Sequence, residues 1–338
     1  MSRIGPRVRC ATTVSVVALV SFACTVGGAA SPLASGPVAT PSPRTSAPAL
    51  ATAPGPTIAA SRAGSGPGVA VLADGQGSAN ELWILTAAGT WQDVGGVPGA
   101  TALSRAGNGL AIASGQSIDV RAAGDPSHSG TVTALKWPGQ APAAPIVGLD
   151  VTGPVTAFVT ADETSLAYAT AGADGTVTPV APAPSQSFSP VVARLDSSHL
   201  VVMTMDSSQV SRLAVIDTAN HTMTTSKAMG GIRDFTLSAD RQMVAVATAS
   251  GAYVNSVSSF MAGKAPQQVA TMKDADVVWG LALDTTGTQL FMLSGTVDPD
   301  GTVGSVHEVG YSRQGTGWTK SMDSVTPFTS AVDQVTVG

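Results

Sequence analysis

The chain has 338 residues, of which 43% are hydrophobic, 12% charged and 4% aromatic, with 37 glycines, 22 prolines and a net charge of −5. Four of its 17 basic residues, Arg3, Arg7, Arg9 and Arg44, lie before residue 57 and none of the 22 acidic ones does, so the remainder sets 13 basic residues against 22 acidic. A phosphate backbone needs a basic footprint, and a nucleic-acid partner is excluded on that balance. Both cysteines, Cys10 and Cys24, lie near the start, which leaves nothing for a disulfide framework or a thiolate metal site further on.

Residues 1–24 read as an export signal, in which Arg3, Arg7 and Arg9 form a positive start and 11–23 an apolar core too short to span a bilayer. Two ways of cutting it stay open. Ser21-Phe22-Ala23-Cys24 resembles a bacterial lipobox, which implies a lipidated Cys24 as the first mature residue; ordinary cleavage after Gly28-Ala29-Ala30 discards that cysteine. Residues 25–56, rich in Ala, Ser, Pro, Gly and Thr, bury too little apolar surface to offset the entropy of ordering and read as a disordered tether. No later stretch is continuously apolar over the roughly 20 residues a membrane span needs, so any membrane contact is expected through Cys24 alone.

From residue 57 to 338 the text repeats. An apolar run ending in Ser or Asp recurs with its last residue at Ser61, Ser104, Asp150, Asp196, Ser238 and Asp284, in steps of 43, 46, 46, 42 and 46. Each repeat divides into four short β-type runs. In the third they are 146–150, 155–160, 165–171 and 176–180; in the fifth 233–237, 243–248, 252–257 and 267–272; in the sixth 278–283, 289–293, 305–311 and 317–322. Four strands in a period of about 45 residues predict an all-β, six-bladed β-propeller of four-stranded antiparallel blades. A further step of 46 lands on Ser330, so a seven-bladed ring is the alternative, and 325–337 is expected to join the first or last blade and close the ring.

The wording of residues 212–248, RLAVIDTANHTMTTSKAMGGIRDFTLSADRQMVAVAT, resembles the YVTN-type propeller repeat, with Ala239-Asp240-Arg241 standing where that phrase has Pro-Asp-Gly. The resemblance implies a propeller and reaches to lactonase-like enzymes, which hydrolyse sugar lactones with charged side chains at the channel mouth. No motif of theirs can be placed residue by residue.

The four histidines, His128, His199, His221 and His307, fall in different repeats without a second ligand at metal spacing, and neither a G-x-S-x-G elbow nor a Walker loop is present. No cofactor is expected, and a divalent cation has no ligand set behind it. Trp83, Trp91, Trp137, Trp279 and Trp318 fall in or beside strands and are expected to pack between blades, with Trp279 placed to face the channel. Loops on the face where each innermost strand begins carry Asp162, Asp206 and Asp276, with Arg233 and Asp234 at the start of one such strand. Arg233, Asp234, Asp276, Trp279, Asp162 and Asp206 are therefore the candidate ligand-binding residues, with a protein or small polar ligand at that mouth. The function expected is binding outside the cytoplasm, either as an outward-facing lipoprotein or as a free secreted protein. A lactonase-like hydrolase and an envelope assembly scaffold are the alternatives, and a non-enzyme is favoured.

Overall fold

The computed structural model describes residues 69–73, 79–86, 89–106, 109–122, 125–161, 166–180, 191–205, 208, 210–272, 276–284, 286–297, 303–327 and 332–337; for 79, 276, 297, 303–304 and 332–337 it gives the backbone only. Cys24, the tether and the phrase at 58–64 lie outside that set, as do Asp162 and Asp206.

Six antiparallel sheets follow one another along the chain. The first contains β1 (Val69–Ala73), β2 (Ala79–Leu85) and β3 (Trp91–Pro98), the second β4 (Ala100–Ala106), β5 (Gly109–Ser114), β6 (Ser117–Arg121) and β7 (Thr131–Ala134). The third is β8 (Ile146–Thr152), β9 (Val155–Ala161), β10 (Leu166–Ala171) and β11 (Val177–Pro179). The fourth is β12 (Val192–Arg194), β13 (His199–Met205), β14 (Val210–Asp217) and β15 (Thr222–Thr225), with β16 (Met229–Gly230) also pairing with β14. The fifth is β17 (Ile232–Leu237), β18 (Met243–Thr248), β19 (Gly251–Ser256) and β20 (Gln267–Thr271), and the sixth β21 (Asp276–Leu283), β22 (Gln289–Val297), β23 (Val303–Gln314) and β24 (Gly317–Val325). This is the six-bladed propeller that the period of about 45 residues predicts.

Closure comes from the far end of the chain. The last strand, β25 (Val332–Val337), pairs antiparallel with β1, Val69 opposite Val337 and Val71 opposite Val335, so the innermost place of the first blade is filled by the chain's final strand. Pairing the two ends of the repeat array removes the open edges that a linear stack of blades would leave.

The core lies between blades. Because both faces of every blade are covered, successive residues of a strand pack in opposite directions: Leu200 and Val202 turn to the third blade, Val201 and Met203 to the fifth. Six apolar clusters result, one for each junction of the ring, and they explain why strands such as Val69–Ala73 are buried at every position. Four of the tryptophans serve these junctions as expected, and Trp279 joins them instead of facing the channel, because the bulge at its own position in β21 turns its ring into the junction. Trp83, Trp91 and Trp279 pack between the sixth and first blades and Trp318 between the fifth and sixth. Trp137 packs between the second and third, its ring edge-on to Phe158 with centroids 5.8 Å apart.

Besides β16, one element has no counterpart in the repeat pattern. Helix α1 (Val257–Met261) extends the fifth blade after β19; the Ser256 hydroxyl accepts from the Ser259 N–H at its start, and Phe260 is buried against the neighbouring junction. It is a single capped turn, too short to leave a helical period in the sequence. Among the described residues no helix is long and apolar enough to cross a membrane.

Candidate functional site

The innermost strands β4, β8, β17 and β21 each carry a bulge near their start, at Thr101, Val147, Arg233 and Trp279. A bulge breaks the strict alternation of side chains and re-aims the residue it adds. It therefore decides where two of the candidate residues point.

The Trp279 ring lies in the core between the sixth and first blades, beside Gly295, where a Cβ would come within 3.2 Å of the indole nitrogen and 2.8 Å of the Ser305 carbonyl. Its buried N–H has no acceptor among the described residues. The Asp234 carboxylate accepts from the Phe235 N–H at 2.8 Å and, in the next blade, from the Leu281 N–H at 3.0 Å. The residue keeps some accessible surface, yet protein atoms crowd the carboxyl itself, and this burial pushes its pKa up to about 7 against the pull of the two backbone donors. Arg233 is half-buried, and burial alone lowers its pKa. Asp276 begins β21, its backbone opposite Thr296. These four residues thus occupy two adjacent innermost strands, the Trp279 ring lying in the sixth–first junction and the Asp234 carboxyl against the Leu281 backbone.

Asp234 belongs to a repeated device. The Ser104 hydroxyl accepts from the Val151 N–H of the next blade at 3.2 Å, and Asp150 accepts from the Arg194 N–H at 2.5 Å. With Asp234 and Leu281 the separations are 47, 44 and 47 residues, close to one repeat each. A side-chain oxygen on one innermost strand thereby clamps the backbone of the next. The Ser or Asp ending each repeat phrase has a divided fate: Ser104 and Asp150 reach across, whereas Asp196, Ser238 and Asp284 close their own hairpin turns. Asp196 accepts from the N–H groups of Ser198 and His199, Ser238 from that of Met243, and Asp284 from those of Thr288 and Gln289.

Around Asp150 the sequence had marked no site, and the structure builds a charged cluster there. Arg241, in the β17–β18 turn, sends its guanidinium past the fourth blade to the third, where it meets Asp150 Oδ2 at 3.0 Å and the Thr152 hydroxyl at 2.6 Å. The contact is a chord between non-adjacent blades across one end of the ring. Arg194, 5% exposed, lies between them and donates to the carbonyls of Thr152, Val155 and Asp196. Burial lowers the pKa of Arg194, Asp150 opposes the shift and Arg241 adds to it. Arg105, following Ser104 on the second blade, is lowered in the same way, by burial first and then by Arg241. Four consecutive blades thus bring three guanidiniums and Asp150 to the end of the ring opposite the predicted mouth, where the Asp196 and Asp240 carboxylates of the same hairpins also lie.

Arg241 is held at φ +61°, a left-handed conformation that non-glycine residues seldom adopt. Its position is the one at which the repeat phrase takes Gly. That departure was the available signal: a bulky residue in a glycine position is kept there by something its side chain does. A cavity of about 320 Å³ opens between the fifth and sixth blades, with Met243, two residues after Arg241, and Trp318, Arg313, Gln267 and Asn255 in its lining. Among the described residues no three His, Cys, Asp or Glu side chains stand together to hold a metal.

Fold and geometry together define a six-bladed β-propeller with a charged rim at one end of its axis. No family model matches the chain and no curated protein matches it. Solved structures do. The chain is similar to TolB from Acinetobacter baumannii at 12% identity and a TM-score of 0.55, over 80% of this chain and 66% of that one. It is similar to a chain of a nidogen/laminin complex at 10% identity and a TM-score of 0.52, over 80% and 98%. A gluconolactonase from Xanthomonas campestris overlaps less closely, at 13% identity and a TM-score of 0.47, over 63% and 75%. Identities this low speak for the fold alone.

Proposed function

We propose that this protein is an exported, YVTN-type propeller that acts as a binding module, tethered to the outer surface of the cell membrane through a lipid on Cys24 and lifted from it by residues 25–56. The observation that carries the binding role is the chord from Arg241 to Asp150. It holds a strained residue in place in order to set charged groups across one end of a rigid ring, and rigid scaffolds with functional loops at one end are built for recognition. The lipobox resemblance at Ser21-Phe22-Ala23-Cys24 and the tether after it support the attachment.

Two measurements test this reading. A photo-cross-linker at exposed Ala239, on the rim, is expected to capture an envelope component in living cells that the same group at exposed Thr319, on an outer strand, does not; equal capture or none from Ala239 overturns the binding role. For the tether, wild type should partition with membranes and Cys24→Ala should appear in the medium. Wild type already free in the medium defeats the anchor.

A further inference from the structure

Helix α1 interrupts the fifth blade at the cavity between the fifth and sixth blades. The last two residues of β19, Asn255 and Ser256, lie in the lining; the chain then turns through the helix and returns past Ala265, also in the lining, to Gln267 of β20. The Ser256 hydroxyl caps the helix, and Asn255 Nδ2 donates to the Lys264 carbonyl at 3.3 Å, so the insertion is tied at both ends. On the sixth blade Arg313 and Trp318 stand opposite each other on β23 and β24, which puts their side chains on one face of that hairpin. Gln267 Nε2 joins the two blades by donating to the Thr316 carbonyl in the β23–β24 turn.

A primary amide has two N–H donors and a carbonyl with two lone pairs. The bonds to Lys264 and Thr316 use one donor of each amide and fix its plane. They leave Gln267 an N–H and its carbonyl, and Asn255 an N–H, among the described residues. Trp318 is half-buried and packs on the apolar core of this junction. Arg313 is the one charged residue of the lining and is exposed, so water screens its charge and selection falls to the neutral groups. The volume of about 320 Å³ is near the lower end of the range for small-molecule sites, about 300 to 1,000 Å³, and admits one ring rather than an extended chain.

We propose that this cavity is a binding site for a neutral sugar ring. A pyranose presents a face of C–H bonds, which suits the electron-rich face of an indole, and an edge of hydroxyls that both donate and accept, as the two amides do. The lining has no carboxylate to hold a cation. A flat aromatic guest would stack as well, but has few polar atoms on its edge for two fixed amides and a guanidinium. The site goes beyond the binding role given to the Arg241 rim and rests on neither Arg241 nor Asp150.

The test is calorimetric titration of the full chain with methyl β-D-glucoside, methyl β-D-galactoside, methyl α-D-mannoside and nicotinamide, for wild type, Ala265→Phe and Thr224→Phe. Ala265 is exposed, so a Phe there occupies the cavity without entering the core; Thr224, exposed on the outer strand of the fourth blade, is the control. The expected result is saturable binding of at least one glycoside, weakened tenfold or more by Ala265→Phe and kept by Thr224→Phe. Tryptophan emission is expected to shift as the sugar binds, and Trp318→Phe, which keeps a ring against the core, to abolish that shift. The proposal is overturned by no binding of any glycoside, by binding of nicotinamide alone, by equal affinity in Ala265→Phe and Thr224→Phe, or by an emission shift that survives Trp318→Phe. Each of these leaves the cross-linking result from Ala239 standing, so the sugar site and the binding role of the rim fall separately.

Discussion

Asp234 shows what a clamp between innermost strands costs when its acceptor can ionise. Its pKa in the folded protein, about 7, lies above the ordinary carboxylate value near 4, so the folded form holds a proton that the unfolded chain releases. The stabilisation from this group is complete below about pH 4 and is lost as pH rises to about 7. At about 1.4 kcal/mol per unit, those three units bound the loss at about 4 kcal/mol. Asp234→Asn keeps an oxygen for the Leu281 N–H and removes the titration. Urea unfolding at a series of pH values is expected to show the variant gaining on wild type between pH 4 and 7; parallel curves would refute the assignment. The geometry that raises this pKa was hidden in the sequence, because an Asp at a strand start reads equally as a solvated loop residue. Only the Leu281 contact, 47 positions away, distinguishes the two.

Single elements place the most informative substitutions in turns and at junctions. In the β17–β18 turn, Arg241→Gly relieves a left-handed φ that costs about 1 kcal/mol or more for a side chain with a Cβ. If the turn were the whole story the variant would gain stability. We expect a net loss of at least about 1 kcal/mol, because Asp150 is left without its partner, and chemical denaturation reads the sign directly. At the junction of the sixth and first blades, Glu308 is 5% exposed and accepts from Trp91 Nε1 and the Ser324 hydroxyl, each at 2.5 Å. Burial raises its pKa while those donors hold it down. Trp91→Phe keeps the ring's packing but strands one carboxylate oxygen, with an expected cost of about 1 to 2 kcal/mol that shrinks at acidic pH as Glu308 takes up a proton. A cost independent of pH would show that packing alone is lost. Strands were the most legible level: 243–248 is predicted and observed with the same limits, since two-sided burial writes a continuous apolar run. Helix α1 and the bulges at Arg233 and Trp279 were not legible, because a single turn or one inserted residue leaves no period to read.

The repeat count foretold the ring at the scale of the whole molecule, and its fastening rested on one strand. Removing 332–337 exposes the backbone edge of β1, where Val69 now faces Val337, and opens the ring between the sixth and first blades. The truncated chain is expected to lose cooperative thermal unfolding and to associate through the open edge, which calorimetry and light scattering would detect. A truncated chain that stays monomeric and melts near the wild-type temperature would show that the junction holds without its final strand. The charged rim was out of reach of the sequence for a related reason. Asp150 and Arg241 are 91 residues apart, and only the curved stacking of the third, fourth and fifth blades brings them within reach of each other.

Because the first blade is completed by the last strand, β1 waits for a partner more than 250 residues downstream before its sheet is whole. A ribosome or a translocation pore releasing this polypeptide from its N-terminus would deliver five self-sufficient sheets and one unfinished one, with nothing to lock the circle until the tail emerges. The circle is thereby locked only once residues 332–337 have been delivered, in whatever order the six sheets form.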